Sequence, residues 1–183
     1  SRYPVKILSI TPEDVSFGCA LNIGCGAATG DIIVIPSAYV YPLYFDWLES
    51  LLTPFDRSEV ALVYGQQRGN EITKYSEHKV LAKWFPDIPD YNQTHPFCNN
   101  ANAAIRRLLW EKLPYDETLT GLEDLDWAQR IQKLGYKIVY EPEAPIVHVH
   151  DEPPSKIYNR YRREAIALKN IFPQEQFLSL IHI

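Results

Sequence analysis

Val15–Pro36 reads VSFGCALNIGCGAATGDIIVIP, and its two parts obey different rules. Val15 to Thr29 is dominated by Ala, Gly, Cys and Leu, which suits a helix packed closely against a sheet. Gly30-Asp31 punctuates it, and Ile32 to Ile35 is an apolar run with the character of a buried strand. The same alternation continues outward. Val5 to Ile10 reads as a short strand on the N-terminal side. On the other side Pro42 to Leu52 is amphipathic, with Leu43, Trp47, Leu48 and Leu51 on one helical face, and Val60 to Tyr64 is another strand. Helices alternating with apolar strands predict an α/β domain with a mostly parallel sheet.

Further along, Gln66 to Asn70 reads as a polar loop and Tyr75 to Trp84 as a helix. Pro86 to Pro96 contains three prolines and two aspartates and cannot be regular structure; a long loop inside a compact domain is more often functional than accidental. Asn102 to Arg106 predicts a strand leading into a short helix at Arg107 to Lys112. Glu123 to Leu134 predicts a helix stopped by Gly135. Lys137 to Tyr140 and Ile146 to Val149 read as strands separated by a proline-containing turn, and Ser155 to Ile171 as a long basic helix. The expected organisation is one domain over residues 1–177. The end, LSLIHI at Leu178 to Ile183, reads as a non-native tail. Ser1 enters almost directly into a strand-like run, so the chain is expected to be a piece truncated at both ends.

Composition narrows the function. At 183 residues, with 46% hydrophobic and 22% charged residues, the chain has the make-up of a soluble globular domain. A net charge of -5 argues against a nucleic-acid partner, whose phosphates demand a cationic face. No apolar run approaches the roughly 20 residues needed to cross a bilayer. The three cysteines, Cys19, Cys25 and Cys98, have no CxxC spacing, which indicates neither a disulfide framework nor a zinc site.

Three groups of residues carry chemistry. Gly121-Leu122-Glu123-Asp124-Leu125-Asp126-Trp127 places three carboxylates at the mouth of a helix. One of them can be a cap stabilised by the helix dipole. Asp124 and Asp126 project in different directions, so another is left to face a cleft, where a partly dry carboxylate can take a proton from a hydroxyl. In Ile146-Val147-His148-Val149-His150-Asp151, His148 and His150 fall on one side of a strand and form a candidate divalent-metal pair. In Phe97 to Arg107, Asn99, Asn100 and Asn102 offer amides that suit sugar hydroxyls, or serve as turn residues before a strand.

In this order the chain resembles the family-2 glycosyltransferases of GT-A fold, in particular a bacterial, rhamnosyltransferase-like subgroup. The resemblance rests on Gly18 to Asp31, on Asn102-Ala-Ala-Ile-Arg-Arg with Trp110 and Pro114-Tyr-Asp-Glu, on Glu123-Asp124 with Asp126-Trp127, Arg130 and Gly135-Tyr136, and on His148. It implies a mixed sheet flanked by helices, lacking the first βαβ portion of that fold. It implies an inverting transfer of a sugar from a nucleoside diphosphate sugar to a glycan, lipid-linked or protein acceptor in polysaccharide or glycan synthesis. The implied location is the cytoplasm, including the inner face of the membrane. Asp124 is the implied base, oriented by Glu123; Asn100, Asn102 and Trp127 are implied on the acceptor side. Ser37, Tyr39 and Arg162 are implied near the donor diphosphate, with His148 and His150 as metal ligands. The sequence departs from the family where an Asp-any-Asp motif is expected after the Gly-Asp strand. Ser37-Ala38-Tyr39 stands there instead, which argues against the Mg²⁺ or Mn²⁺ that the family implies. Two other classes compete: a non-catalytic sugar-binding scaffold, and a metal-dependent hydrolase built on His148, His150, Asp151 and the Glu-Asp pair.

Overall fold

The computed structural model describes residues 5–11, 15–149 and 152–174. Helix α1 (Phe17–Ala27) starts where the Ser16 hydroxyl accepts a hydrogen bond from the Cys19 amide at 3.0 Å. Its small residues have a use: a β-carbon at Gly18 would stand 2.4 Å from the Asp116 carbonyl oxygen, so the helix lies against that segment as only glycine allows. Asn22 completes the junction. Its amide donates to the Tyr115 carbonyl at 2.9 Å, and its Oδ1 accepts from the Trp110 indole at 2.9 Å and the Tyr115 amide at 3.0 Å.

The chain continues through β1 (Ile32–Pro36), β2 (Val40–Pro42), α2 (Trp47–Leu52) with a 3-10 turn at Thr53–Asp56, β3 (Val60–Arg68) and α3 (Tyr75–Trp84). It closes with β4 (Asn102–Arg106), α4 (Arg107–Lys112), α5 (Glu123–Lys133), β5 (Lys137–His148) and α6 (Pro154–Ile171). The strands form one sheet in the order β1-β4-β3-β5-β2. β3 and β5 are parallel, whereas β4 runs antiparallel to both β1 and β3, and β2 antiparallel to β5. The sheet is therefore mixed rather than mostly parallel. One face packs on α5 and α1 through Trp127, Ala128, Ile131 and Cys25; the other packs on α2 and its turn through Leu51 and Phe55.

Local expectations failed where pairing decides. Val5 to Ile10 pairs with no described strand, and Ile7 is 87% exposed; a lone apolar run has no backbone partners to make it a strand. The helix expected from Pro42 begins only at Trp47, because Val40 to Pro42 is drawn into the sheet opposite Ile146 to His148. The polar loop expected at Gln66 is the buried end of β3. The two strands expected around Pro142 and Pro145 are one strand, β5, whose register against β3 shifts between Gly65 and Gln67 and so absorbs the prolines.

Candidate active site

β1, β3 and β5 run in the same direction, and β4 begins where they end. The carboxyl ends of strands in such sheets are where open α/β folds bind ligands. Here that edge gathers Ser37 after β1, Gln66 to Arg68 of β3, His148 of β5 and the segment before Asn102.

Asn102, expected on the acceptor side, is instead a rivet in the sheet. It is 1% exposed, donates to the carbonyls of Gln66 at 3.2 Å and Ala144 at 2.8 Å, and accepts from the Trp47 indole at 3.0 Å. Gly65 leaves room for it: a β-carbon there would lie 2.3 Å from the Asn102 amide nitrogen. Just upstream, the Asn99 Oδ1 accepts from the Ala101 amide at 2.9 Å and the Asn99 carbonyl from the Asn102 amide at 3.2 Å, forming a tight turn. Inside that turn the Asn100 amide faces α5. The Asn100 side chain, also expected to meet the acceptor, points inward beside the Tyr115 hydroxyl, and its amide atoms are buried.

At the mouth of α5 the three carboxylates separate as their spacing predicts. Asp126 pairs with Arg130 at 2.7 Å along the helix. Asp124 turns to the Asn99–Asn102 turn: its Oδ2 accepts from the Asn100 amide at 3.1 Å and its Oδ1 from the Leu125 amide at 2.8 Å. The Cys98 thiol donates to the Asp124 carbonyl at 3.4 Å. Burial raises the Asp124 pKa from its ordinary value, and the amide hydrogen bonds oppose that rise. Glu123 is pushed up to about 7, first by burial and then by the Asp124 charge beside it, and its Oε2 is buried with no hydrogen-bond partner among the described residues. Leu122, which delivers both acids, adopts the left-handed conformation at φ 58°, ψ 28°. For a residue with a β-carbon that costs about 1 kcal/mol or more, a strain typical of functional turns.

Asp124 lines a cleft of about 500 Å³ between α3, the Phe97–Asn99 segment and α6. His148 is in the same cleft. Its Nδ1 lies 2.7 Å from the Gln67 Oε1, an atom that only accepts, so Nδ1 carries the proton and the ring orientation is set. The other expectations are redistributed. Trp127 is 0% exposed and donates its indole N–H to the Leu113 carbonyl at 2.6 Å; it is core and has no surface to offer an acceptor. Arg162 is exposed and outside the cleft. Helical spacing instead turns Arg160 and Glu164 inward, with Arg160 held by Glu152 at 3.1 Å and Glu164 at 3.8 Å. Ser37 and Tyr39 sit in the turn from β1 to β2. The Ser37 amide donates to the Ala101 carbonyl at 3.1 Å, and Val40 pairs with His148, which ties the turn to both sides of the site. Tyr39 itself is 77% exposed and neither residue lines the cleft.

Among the described residues no group of three His, Cys, Asp or Glu side chains is placed to hold a metal ion. His150 and Asp151 lie outside the described residues. The hydrolase reading required His148 to share an ion with the Glu-Asp pair, and these three form no such group. Gln67 and Trp84 were missed in the sequence. Paired glutamines closing an apolar strand were the available signal for the first.

No protein-family profile matches the chain. It is 28% identical over 172 residues to the O-antigen chain rhamnosyltransferase WbaN of Salmonella anatum, covering 88% of this chain and 55% of that protein. A second rhamnosyltransferase, RfbN of Salmonella typhimurium, is 25% identical with 86% and 54% covered. The chain thus spans about half the length of the curated relatives it matches. Among solved structures it is similar to the mannosyltransferase PcManGT from Pyrobaculum calidifontis in complex with GDP-Man and Mn²⁺, with a TM-score of 0.63, 21% identity, and 87% of this chain and 43% of that one covered. The chain has the GT-A fold, and the resemblance read from the sequence, to family-2 glycosyltransferases with rhamnosyltransferase-like members, is borne out.

Proposed function

We propose that this chain is the acceptor-side part of the catalytic domain of an inverting glycosyltransferase, with residues 1–177 forming that part and 178–183 a non-native tail. The whole enzyme moves a sugar from a nucleoside diphosphate sugar to an acceptor hydroxyl in glycan synthesis, working in the cytoplasm or at the inner face of the membrane. The observation that carries the proposal is Asp124. Its carboxylate is clamped by two backbone amides at the floor of a cleft on the carboxyl edge of a GT-A sheet.

The acceptor oxygen attacks C1 of the donor sugar while the C1–O bond to the diphosphate breaks on the opposite side. The acceptor proton passes to Asp124, whose burial makes it a stronger base than a solvated carboxylate. The clamp holds this geometry without side-chain freedom, as a near-attack arrangement requires. Glu123, pushed up to about 7, is about half protonated at pH 7, which lessens the negative charge beside the base.

The residues at the end of β1 do not fit a divalent ion. Ser37 and Tyr39 offer hydroxyls where Mg²⁺ or Mn²⁺ favours carboxylate oxygen. Among the described residues, Lys74 and Arg160 are the cations that line the cleft, and they supply positive charge toward the departing diphosphate. Asp124→Asn in the full-length protein tests the proposal. We expect transfer to fall by about 10²–10⁴-fold with folding intact; near-wild-type transfer removes Asp124 from the role. Absence of donor turnover by the wild-type protein would favour the scaffold reading.

A further inference from the structure

The cleft wall opposite Asp124 has no assigned purpose. It is made by α3, a helix with no buried residue, which presents Val80 and Trp84 to the cleft, and by Ile157 and Tyr161 of α6. Trp84 is 48% exposed and keeps a large apolar surface on the cleft side. It is not loosely placed. Its ring stacks on Phe97, with centroids 4.8 Å apart and planes at 26°. Phe97 in turn meets the core rings of Tyr64 edge-on at 5.7 Å and Phe85 at 5.8 Å. Phe97 is also the first residue of the segment whose Cys98 and Asn100 hold Asp124. One short stretch of chain therefore fixes both an exposed aromatic surface and the base.

From this juxtaposition we infer that Trp84, backed by Phe97, is the platform on which the acceptor's sugar ring lies. A pyranose is apolar on a ring face, where its C–H bonds point, and polar around its rim. The cleft has the matching division. Trp84 and Val80 supply an apolar surface, while Glu77 and Glu164 supply hydrogen-bonding groups around it. Trp84 and Asp124 line the same cleft, so a ring resting on Trp84 occupies the space that Asp124 also borders. The long tail of a lipid would gain nothing from these charged groups. The inference rests on the proposed function and names the residue that holds its acceptor. Trp84 acts here as a specificity-determining residue.

Saturation-transfer difference NMR on the protein tests this, with a panel of methyl gluco-, galacto-, manno- and rhamnopyranosides as probes. Ring protons of at least one glycoside are expected to receive saturation, to lose it in Trp84→Ala and to keep it in Trp84→Phe, with unchanged circular dichroism in both variants. In the full-length enzyme, Trp84→Ala is expected to raise the acceptor KM about tenfold, an aromatic contact's worth, and to leave the donor KM unaltered. Saturation that survives Trp84→Ala, or no saturation with any glycoside, overturns the inference. A donor KM that rises in parallel with the acceptor KM also overturns it, because that is the signature of Trp84 merely anchoring α3. If the wild-type enzyme shows no transfer, the proposed function fails, and the NMR result still decides whether Trp84 holds a sugar.

Discussion

The two walls of the cleft are built on opposite plans. The Asp124 wall is a lattice of backbone donors and buried side chains: the Asn99–Asn102 turn, the Asn102 rivet and the mouth of α5. The α3 wall has no buried residue within its helix and meets the body through side chains such as Leu81 and Trp84. The proposed base has to hold its position to a fraction of an ångström, which the interlocked backbone around Asp124 favours. A surface that selects among acceptors can change side chain by side chain without disturbing the fold.

Substitutions on the two walls should therefore differ in kind. The largest effect belongs to Asp124→Asn, about 10²–10⁴-fold in transfer with little change in melting temperature; an equal loss on replacing an exposed α3 residue would erase the contrast. Asn102→Ala should be the most destabilising change at the site. It strands two buried carbonyls and the Trp47 indole, at about 3 kcal/mol read by chemical denaturation.

Glu123 sharpens the comparison through pH. Its carboxyl titrates near 4.5 when unfolded and about 7 when folded, so the folded state holds the extra proton between those values. Stability is full below about 4.5 and declines as pH rises toward 7, where the buried group must ionise. Glu123→Gln should remove that slope. The variant should match wild type near pH 4 and exceed it at pH 8 by roughly 2–3 kcal/mol, measured as melting temperature against pH. A parallel offset at both pH values would show that burial does not govern this acid. The smallest effect should come from the outer α3 surface, where Tyr75→Ser should alter stability by no more than about 0.5 kcal/mol.

Much of the chain was legible because its signals are local. The small-residue helix before Gly30-Asp31, the strand from Ile32, the strand–helix join at Arg106-Arg107 and the helix stopped at Gly135 all emerge close to where their residues predict. The divergence of Asp124 from Asp126 follows from helical geometry alone and is observed. Asn100, Asn102 and Trp127 were misjudged because an amide or an indole serves a buried carbonyl as readily as a sugar, and sequence does not say which lies opposite. The same holds for Arg162 against Arg160, where the choice depends on which face of α6 meets the body. Composition and periodicity thus determined an α/β chain with a carboxylate at a helix mouth. The mixed order of the sheet, the clamp on that carboxylate and the aromatic wall across from it were decided only by tertiary structure, because each depends on contacts between residues far apart in the chain.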